Sequence, residues 1–204
     1  MKTPLRTLVL PSTVHRVINI AIFASGTASN AQKIIEHFDK SPSVRVALIV
    51  SNKKNAGVLD IAREYGTPTQ IIDRQMFYET EDLLDILIKQ NVEFIVLAGF
   101  LWLMPTYLVQ AFPKKIVNIH PALLPKFGGK GMYGKHVHEA VKSAGETETG
   151  ITIHFVNEHY DEGDIVFQAR CPVLPDDTPD DIARRVLQLE HQHFPTIIAQ
   201  LLTA

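Results

Sequence analysis

The chain is short of the residues and patterns on which several functions depend. Of its 204 residues, one is a cysteine, Cys171, and one a tryptophan, Trp102. A single thiol can neither close an internal disulfide nor build a cysteine-rich metal site, and it suits a reducing, cytoplasmic setting. A formal net charge of −2 gives no electrostatic reason to expect a nucleic-acid or membrane partner. No apolar run reaches the roughly 18 residues that a membrane span needs. The H-x-H pairs His136/His138 and His191/His193 fit neither the helical H-E-x-x-H arrangement nor a Cys/His zinc pattern, so no metal is expected. Internal repeats and low-complexity tracts are missing too.

Hydrophobic residues make up 46% of the chain, which suits one compact domain with a sizeable core. The opening MKTPLRTLVLPSTVHR has basic residues and a short LVL that Pro11 interrupts. It is expected to be a disordered or loosely attached leader, residues 1–16, ahead of a single domain over 17–204. VINIAIFA (17–24) is almost continuously apolar and rich in β-branched residues, as in a strand buried on both faces. The same reading gives strands over VRVALIV (44–50), PTQII (68–72), EFIVLAG (93–99) and KKIVNIH (114–120).

Helices fall between them. Ser29 followed by Gln32 reads as a capping box in front of AQKIIEHF. Val58, Ile61, Ala62 and Tyr65 mark a second helix that stops at Gly66. Leu83, Leu84, Leu87 and Ile88 mark a third over about 80–90. Alternation of strand and helix predicts an α/β fold: an open, mostly parallel, Rossmann-like sheet with helices on both faces. After residue 120 the pattern changes. GITIHFV (150–156) and GDIVFQARCPV (163–173) are joined by a short polar connector, so they should pair as antiparallel strands. A last helix should start with Thr178 as N-cap and Pro179 in its first position, and Pro195 should kink or restart it.

In such a sheet ligands bind beyond the carboxyl ends of the strands. After the first strand, SGTASN turns into a helix whose N-terminal N–H groups can meet an anion. It is not a G-x-G-x-x-G turn, so a phosphate monoester fits better than a dinucleotide, although Ser29 and Asn30 could equally serve as caps. After the fourth strand, Trp102 among Phe100, Leu101, Leu103 and Met104 can wall a flat aromatic ligand, or simply pack against a helix. At the end of the fifth, Asn118 and His120 are two apart and so share a side. An amide donor beside an imidazole can stabilise an oxyanion and move a proton. Further on, HFVNEHYDEGD (154–164) supplies His154 and four acids, one of which could orient a histidine. The glycine-rich Gly128–Gly134 is expected to be a mobile cover over this end of the sheet.

FASGTASN, LAGFLWLM, NIHPALLPKF, GITIHFVNEHYDEGDIVFQ and LEHQHFP, taken together and in this order, resemble the folate-dependent phosphoribosylglycinamide formyltransferases of purine biosynthesis. The similarity runs from about residue 17 to the C-terminus and implies the formyltransferase fold. It implies transfer of a formyl group from 10-formyltetrahydrofolate, as co-substrate, to the amine of glycinamide ribonucleotide. The reading that competes with it is a folate-dependent formyltransferase acting on another amine. The resemblance makes Asn118, His120 and Asp161 catalytic, with Asp161 favouring the charged form of His120. It gives Ala28, Ser29 and Asn30 to the substrate phosphate and Glu190 to the glycinamide end. It gives Leu101, Trp102, Leu103, Met104, Asn118, Asn157, Glu158, His159, Tyr160 and Asp161 to the folate. The implied partners are small molecules, with no nucleic acid, membrane or metal, for a cytoplasmic monomer or homodimer. Two departures stand out. Ala28 replaces the familiar glycine, and Trp102 replaces a familiar arginine, with no second arginine evident in MFYETEDLL to hold the folate tail.

Overall fold

The computed structural model describes residues 16–26 and 28–203. Residues 1–15 of the expected leader, and Thr27, lie outside them. The elements run β1 (Ile18–Phe23), α1 (Ser29–Phe38), β2 (Val44–Ser51), α2 (Val58–Glu64), β3 (Thr69–Ile71), α3 (Arg74–Tyr78) and α4 (Asp82–Lys89). They continue with β4 (Val92–Leu97), α5 (Thr106–Ala111), β5 (Ile116–His120), α6 (Lys135–Ser143), β6 (Glu148–Phe155), β7 (Ile165–Pro172) and α7 (Pro179–Thr203). The strands form one seven-stranded sheet in the order β3-β2-β1-β4-β5-β6-β7. Neighbours are parallel as far as β5, and β6 and β7 are antiparallel. This is the open α/β sheet with antiparallel C-terminal strands that the sequence predicts.

The apolar strands are explained by burial on both faces. In β1, Ile20 and Ile22 join a core beneath α1 and α7, while Ala21 and Phe23 face a second core beneath α3, α4 and α5. In β4, Phe94 and Val96 go to the first core and Ile95 and Leu97 to the second. Period-2 alternation with two apolar faces leaves no polar position in the middle of such a strand.

Helix ends follow local chemistry, with one correction. Gly66 takes φ 64 at the end of α2, the left-handed geometry that a glycine accepts without a Cβ penalty. Thr178 and Asp181 cap α7 reciprocally: Asp181 N donates to Thr178 Oγ1 at 3.2 Å, and Thr178 N to Asp181 Oδ2 at 2.9 Å. The expected Ser29/Gln32 capping box does not form. Ala28 is the N-cap residue, at φ 73, and among the described residues no side chain caps α1. Ser29 lies inside the first turn, where its hydroxyl is past the position that reaches back to the N–H groups, and Gln32 bonds Glu36 instead. In α4, Leu83 and Leu87 are fully buried but Ile88 is 61% exposed, because a 100° step carries residue 88 off the face that residues four apart share. α7 continues through Pro195 rather than restarting. The short α3 and α5, and α6, were not foreseen. α6 begins directly behind the glycine-rich stretch and buries only Val137, His138 and Val141, too sparse an apolar stripe to stand out in sequence.

Strand order reverses between β1 and β4, and a crevice opens at such a switch point. The turns after the two strands are tied together there. Ser25 N donates to Gly99 O at 3.1 Å, and Leu101 N donates to Ser25 Oγ at 3.1 Å.

Candidate active site

A cavity of about 880 Å³ lies over the carboxyl ends of β1, β4 and β5, closed in by the 129–135 stretch and by α7. Most of the residues singled out from sequence meet in its wall: Ala28, Ser29, Asn30, Leu101 to Met104, Asn118, His120, His159, Tyr160, Asp161 and Glu190. Asn157 and Glu158 are not among them. The Asn157 side chain is used locally, its Oδ1 accepting from His159 N at 2.9 Å, and Glu158 points to solvent.

Asn118, His120 and Asp161 come together from distant parts of the chain. β5 delivers the first two at its last turn of pleat. Asp161 arrives on the β6–β7 connection, which can turn so tightly because residue 163 is glycine: a Cβ there would sit 1.7 Å from Phe155 O. Asp161 itself takes φ 58, a strained position for a residue with a side chain, and such strain recurs at functional sites. Its carboxylate reaches His120 Nδ1 at 3.5 Å through Oδ2 and Asn118 Nδ2 at 3.4 Å through Oδ1. Gly129 N donates to Oδ2 at 2.9 Å. Burial pushes the Asp161 pKa up, but the polar groups around the carboxylate, the Gly129 N–H among them, outweigh it, so the group is held below the ordinary value and stays ionised at neutral pH.

Sequence reasoning noted His154 but gave it no role. It lies directly opposite Asn118 across the β5/β6 pair, so the two share a face of the sheet. His154 Nδ1 is 2.9 Å from Phe155 O, which requires the proton on Nδ1. Nε2 is then an acceptor, and Asn118 Nδ2 donates to it at 3.0 Å. One N–H of Asn118 is thereby fixed and the other is only weakly engaged by Asp161 at 3.4 Å, free to turn to a better acceptor. The pairing of two antiparallel strands around NIH and ITIHF carries the signal that could have found His154.

His120 is 3% exposed. Its Nε2 lies 2.7 Å from Phe127 O, which places a proton on Nε2 and leaves Nδ1 facing Asp161. Asp161 does favour the charged form of this ring, as expected, but it does not decide the balance. Burial lowers the His120 pKa, and the upward pulls of Asp161 and of the Phe127 carbonyl do not recover it, so the net value lies below the ordinary one. His120 is therefore a neutral imidazole at neutral pH.

Two flanks complete the cavity. At one, α1 starts without a capping side chain and without an acid in its first turn, so its N-terminal N–H groups are open to an anion. Asn30 Nδ2 donates to Glu190 Oε2 at 2.5 Å. Glu190 is 8% exposed, and burial raises its pKa against the lowering effect of Asn30. At the other flank, Trp102 packs among Phe77, Tyr78 and Phe100, with ring centroids 5.5, 5.9 and 6.2 Å away. The Arg74 guanidinium lies 5.1 Å from the Trp102 ring centre. An arginine thus stands against Trp102, at the start of α3 and just ahead of MFYETEDLL.

The protein-family comparison matches residues 18–198 to the formyl transferase family. The chain is 45% identical over 188 residues to the chloroplastic phosphoribosylglycinamide formyltransferase of Arabidopsis thaliana, covering 89% of this chain and 64% of that protein. It thus spans less than two thirds of that plant relative. It is 37% identical over 185 residues to the phosphoribosylglycinamide formyltransferase of Haemophilus influenzae, covering 88% and 84%. Among solved structures, the phosphoribosylglycinamide formyltransferase from Anaplasma phagocytophilum superposes with a TM-score of 0.83 at 33% identity, covering 91% of this chain and 87% of that one. Glycinamide ribonucleotide transformylase 1 from Geobacillus kaustophilus gives 0.82 at 32% identity, covering 92% and 100%. With the sheet order, the Asn118–His120–Asp161 cluster and these likenesses in agreement, the chain belongs to the formyl transferase family.

Proposed function

We propose that this chain transfers the formyl group of 10-formyltetrahydrofolate to the primary amine of glycinamide ribonucleotide, a step of purine biosynthesis. The observation that carries the reading is one cavity holding both the Asn118–His120–Asp161 cluster and the uncapped start of α1. Relatives named for this reaction support it.

The phosphate of the ribonucleotide sits on the N–H groups of Ala28, Ser29 and Asn30, where the helix dipole favours an anion. The pterin enters between the β4 turn and the Tyr160–Asp161 segment. The p-aminobenzoyl ring leans on Trp102, and Arg74, beside the indole, pairs with the glutamate carboxylates. The amine nitrogen attacks the formyl carbon and the carbonyl oxygen becomes an oxyanion. The weakly engaged N–H of Asn118 turns to that oxygen. His120 takes the proton that the attacking nitrogen loses, on Nδ1, and Asp161 stabilises the resulting imidazolium. That proton goes to N10 as the bond between N10 and the formyl carbon breaks, releasing tetrahydrofolate and the formylated amide. No step needs a metal. The enzyme works as a monomer or homodimer in the cytoplasm; the plant relatives' chloroplastic names offer the plastid as the alternative, which cell fractionation decides.

Following folate absorbance with glycinamide ribonucleotide, with methionyl-tRNA and with buffer tests the proposal. Turnover is expected with the ribonucleotide alone. Turnover with the tRNA, or with another amine in place of the ribonucleotide, favours a formyltransferase of different specificity. Binding of both ligands without turnover would make the chain a non-catalytic module.

A further inference from the structure

His120, Thr152 and Gln168 stand side by side on β5, β6 and β7, because the strand register pairs His120 with Thr152 and Thr152 with Gln168. Side chains paired across neighbouring strands share a face of the sheet, so two polar residues continue the row that His120 begins. The reaction as described uses neither, and neither lines the cavity. Thr152 is fully buried. Its Oγ1 donates to Ala122 O at 2.7 Å, and accepts from Leu124 N at 3.0 Å and from Gln168 Nε2 at 2.9 Å. A hydroxyl has one donor and two lone pairs, and all three are taken. Gln168 Nε2 gives its other hydrogen to Leu124 O at 3.1 Å. Two side chains thus hold the backbone of residues 122–124, the turn that leaves the end of β5.

That turn runs into the groups that hold the site. Leu124 packs so closely on Gly128 that a Cβ there would lie 2.6 Å from Leu124 Cδ2. Between them Phe127 takes φ 56, a conformation that costs energy for a residue with a side chain and persists only where its surroundings hold it. In that conformation the Phe127 carbonyl meets His120 Nε2 at 2.7 Å, and just beyond it Gly129 N donates to Asp161 Oδ2 at 2.9 Å.

We propose that Gln168 and Thr152 position the proton acceptor of the reaction. By fixing residues 122–124 they set where the Phe127 carbonyl and the Gly129 N–H stand. Those two groups in turn orient the His120 ring and the Asp161 carboxylate. Both Gln168 and Thr152 are positioning residues, acting through the backbone of the turn. The inference rests on the formyl-transfer reading for the task that His120 performs.

The test compares the parent enzyme with Gln168→Met and Thr152→Val, which keep the size of the side chain and remove the amide or the hydroxyl. In both, kcat should fall by about 10- to 100-fold, the scale of a misplaced catalytic group, while each KM changes less than about threefold. Thr152→Ser, which keeps the hydroxyl, should recover most of the loss. The double variant should be little worse than the poorer single one, since groups that act as a unit are not additive. The pH profile should move as well. Among the described residues, the titratable groups around His120 are Asp161, His154 and His138, and the variants alter none of them. The Phe127 carbonyl pulls the His120 pKa up, so a displaced carbonyl lets it fall, and the acid limb of kcat/KM should move to lower pH. Reduced unfolding temperature with kcat and the acid limb unchanged would mean a merely structural role and overturns the inference. β7 is an edge strand, which makes Gln168 the milder place to intervene. Gln168→Asn keeps the amide but falls short of Thr152 and Leu124, so it should behave like Gln168→Met. A second readout needs no turnover. In ligand-free, imidazole-labelled protein, the ¹⁵N titration of His120 should give a lower pKa in the Gln168 variants than in the parent, and an unchanged titration overturns the inference. A lowered His120 pKa in a chain without formyl transfer would sink the proposed reaction and leave the positioning network standing.

Discussion

The starts of α1 and α7 make an instructive pair, because the two helices pack against each other and begin in opposite ways. At α7 the capping groups are paired with one another. Thr178 and Asp181 cap each other, Asp177 accepts from Arg185 and from Leu174 N, and acids fill the first turn. At α1 no side chain among the described residues caps the helix, the entry residue is an alanine at φ 73, and Asn30 Oδ1 has no partner among them. Ala28 and Asp161, both in the cavity wall, take positive φ, as do Asn91 and Lys114 away from it. The contrast therefore belongs to these two helix starts: one is closed by its own side chains, and the other leaves its first N–H groups for a ligand.

The sharpest way to break this contrast is at Asp161. Asp161→Asn keeps the shape and removes the charge that stabilises protonated His120. Formyl transfer should fall by roughly 10²–10⁴, the range for lost acid–base assistance, while ribonucleotide binding stays near normal. The pH profile gives the sign. The neutral ring is the proton acceptor, so activity is lost as pH falls through the His120 pKa. Without the anion that pKa drops further, so the acid limb should move to lower pH in steady-state assays across pH. An acid limb that stays in place would separate Asp161 from His120.

Next in size come the ligand flanks. Replacing Ser29 and Asn30 together with Ala removes the Ser29 hydroxyl from the phosphate and leaves the Glu190 carboxylate without its Asn30 partner, so KM for the ribonucleotide should rise about tenfold and the donor KM should stay the same. Arg74→Ala should do the reverse, weakening the glutamate-bearing donor about tenfold and a donor without glutamate hardly at all. Trp102 is the only tryptophan in the chain, so its fluorescence reports donor binding directly in both titrations.

The predictions at α7 are smaller and concern stability. Thr178→Ala should cost about 1 kcal/mol in denaturant unfolding, the usual worth of an N-cap, with kcat and both KM values unchanged. The Asp177 pKa is held down to about 2, chiefly by Arg185. A depressed carboxylate contributes stability above its unfolded pKa and loses it as pH falls toward the folded one. The Asp177–Arg185 pair should thus weaken unfolding resistance only below the ordinary carboxylate range, toward pH 2. The smallest effect is expected for Ala28→Gly. It removes the left-handed strain of an alanine but adds freedom to the unfolded chain, for a net gain of no more than about 1 kcal/mol.

The sheet was legible in the sequence because its strands are apolar on both faces, as β1 and β4 show, and because Gly66 and Thr178–Asp181 mark helix ends by chemistry that acts within a few residues. Asn118 and His120 were legible because they end a strand and sit two apart. Arg74 beside Trp102 and His154 beside Asn118 were not assigned, for a common reason: each is brought into place by an element far away in sequence, by α3 or by the β5/β6 register. The Ser29/Gln32 motif misled because a capping box is a local pattern, while the left-handed turn at Ala28 shifts the helix start by one residue. The neutral state of His120 was hidden for a similar reason, since the burial that outweighs Asp161 comes from the whole fold.

Following a ¹³C-formyl label by NMR tests the central claim most directly. The purified chain is mixed with labelled 10-formyltetrahydrofolate and glycinamide ribonucleotide. The account predicts that the label passes to the amine of the ribonucleotide, with tetrahydrofolate formed in equal amount and with the rate collapsing in Asp161→Asn. Label appearing as free formate, or remaining on the folate while both ligands bind, would contradict it.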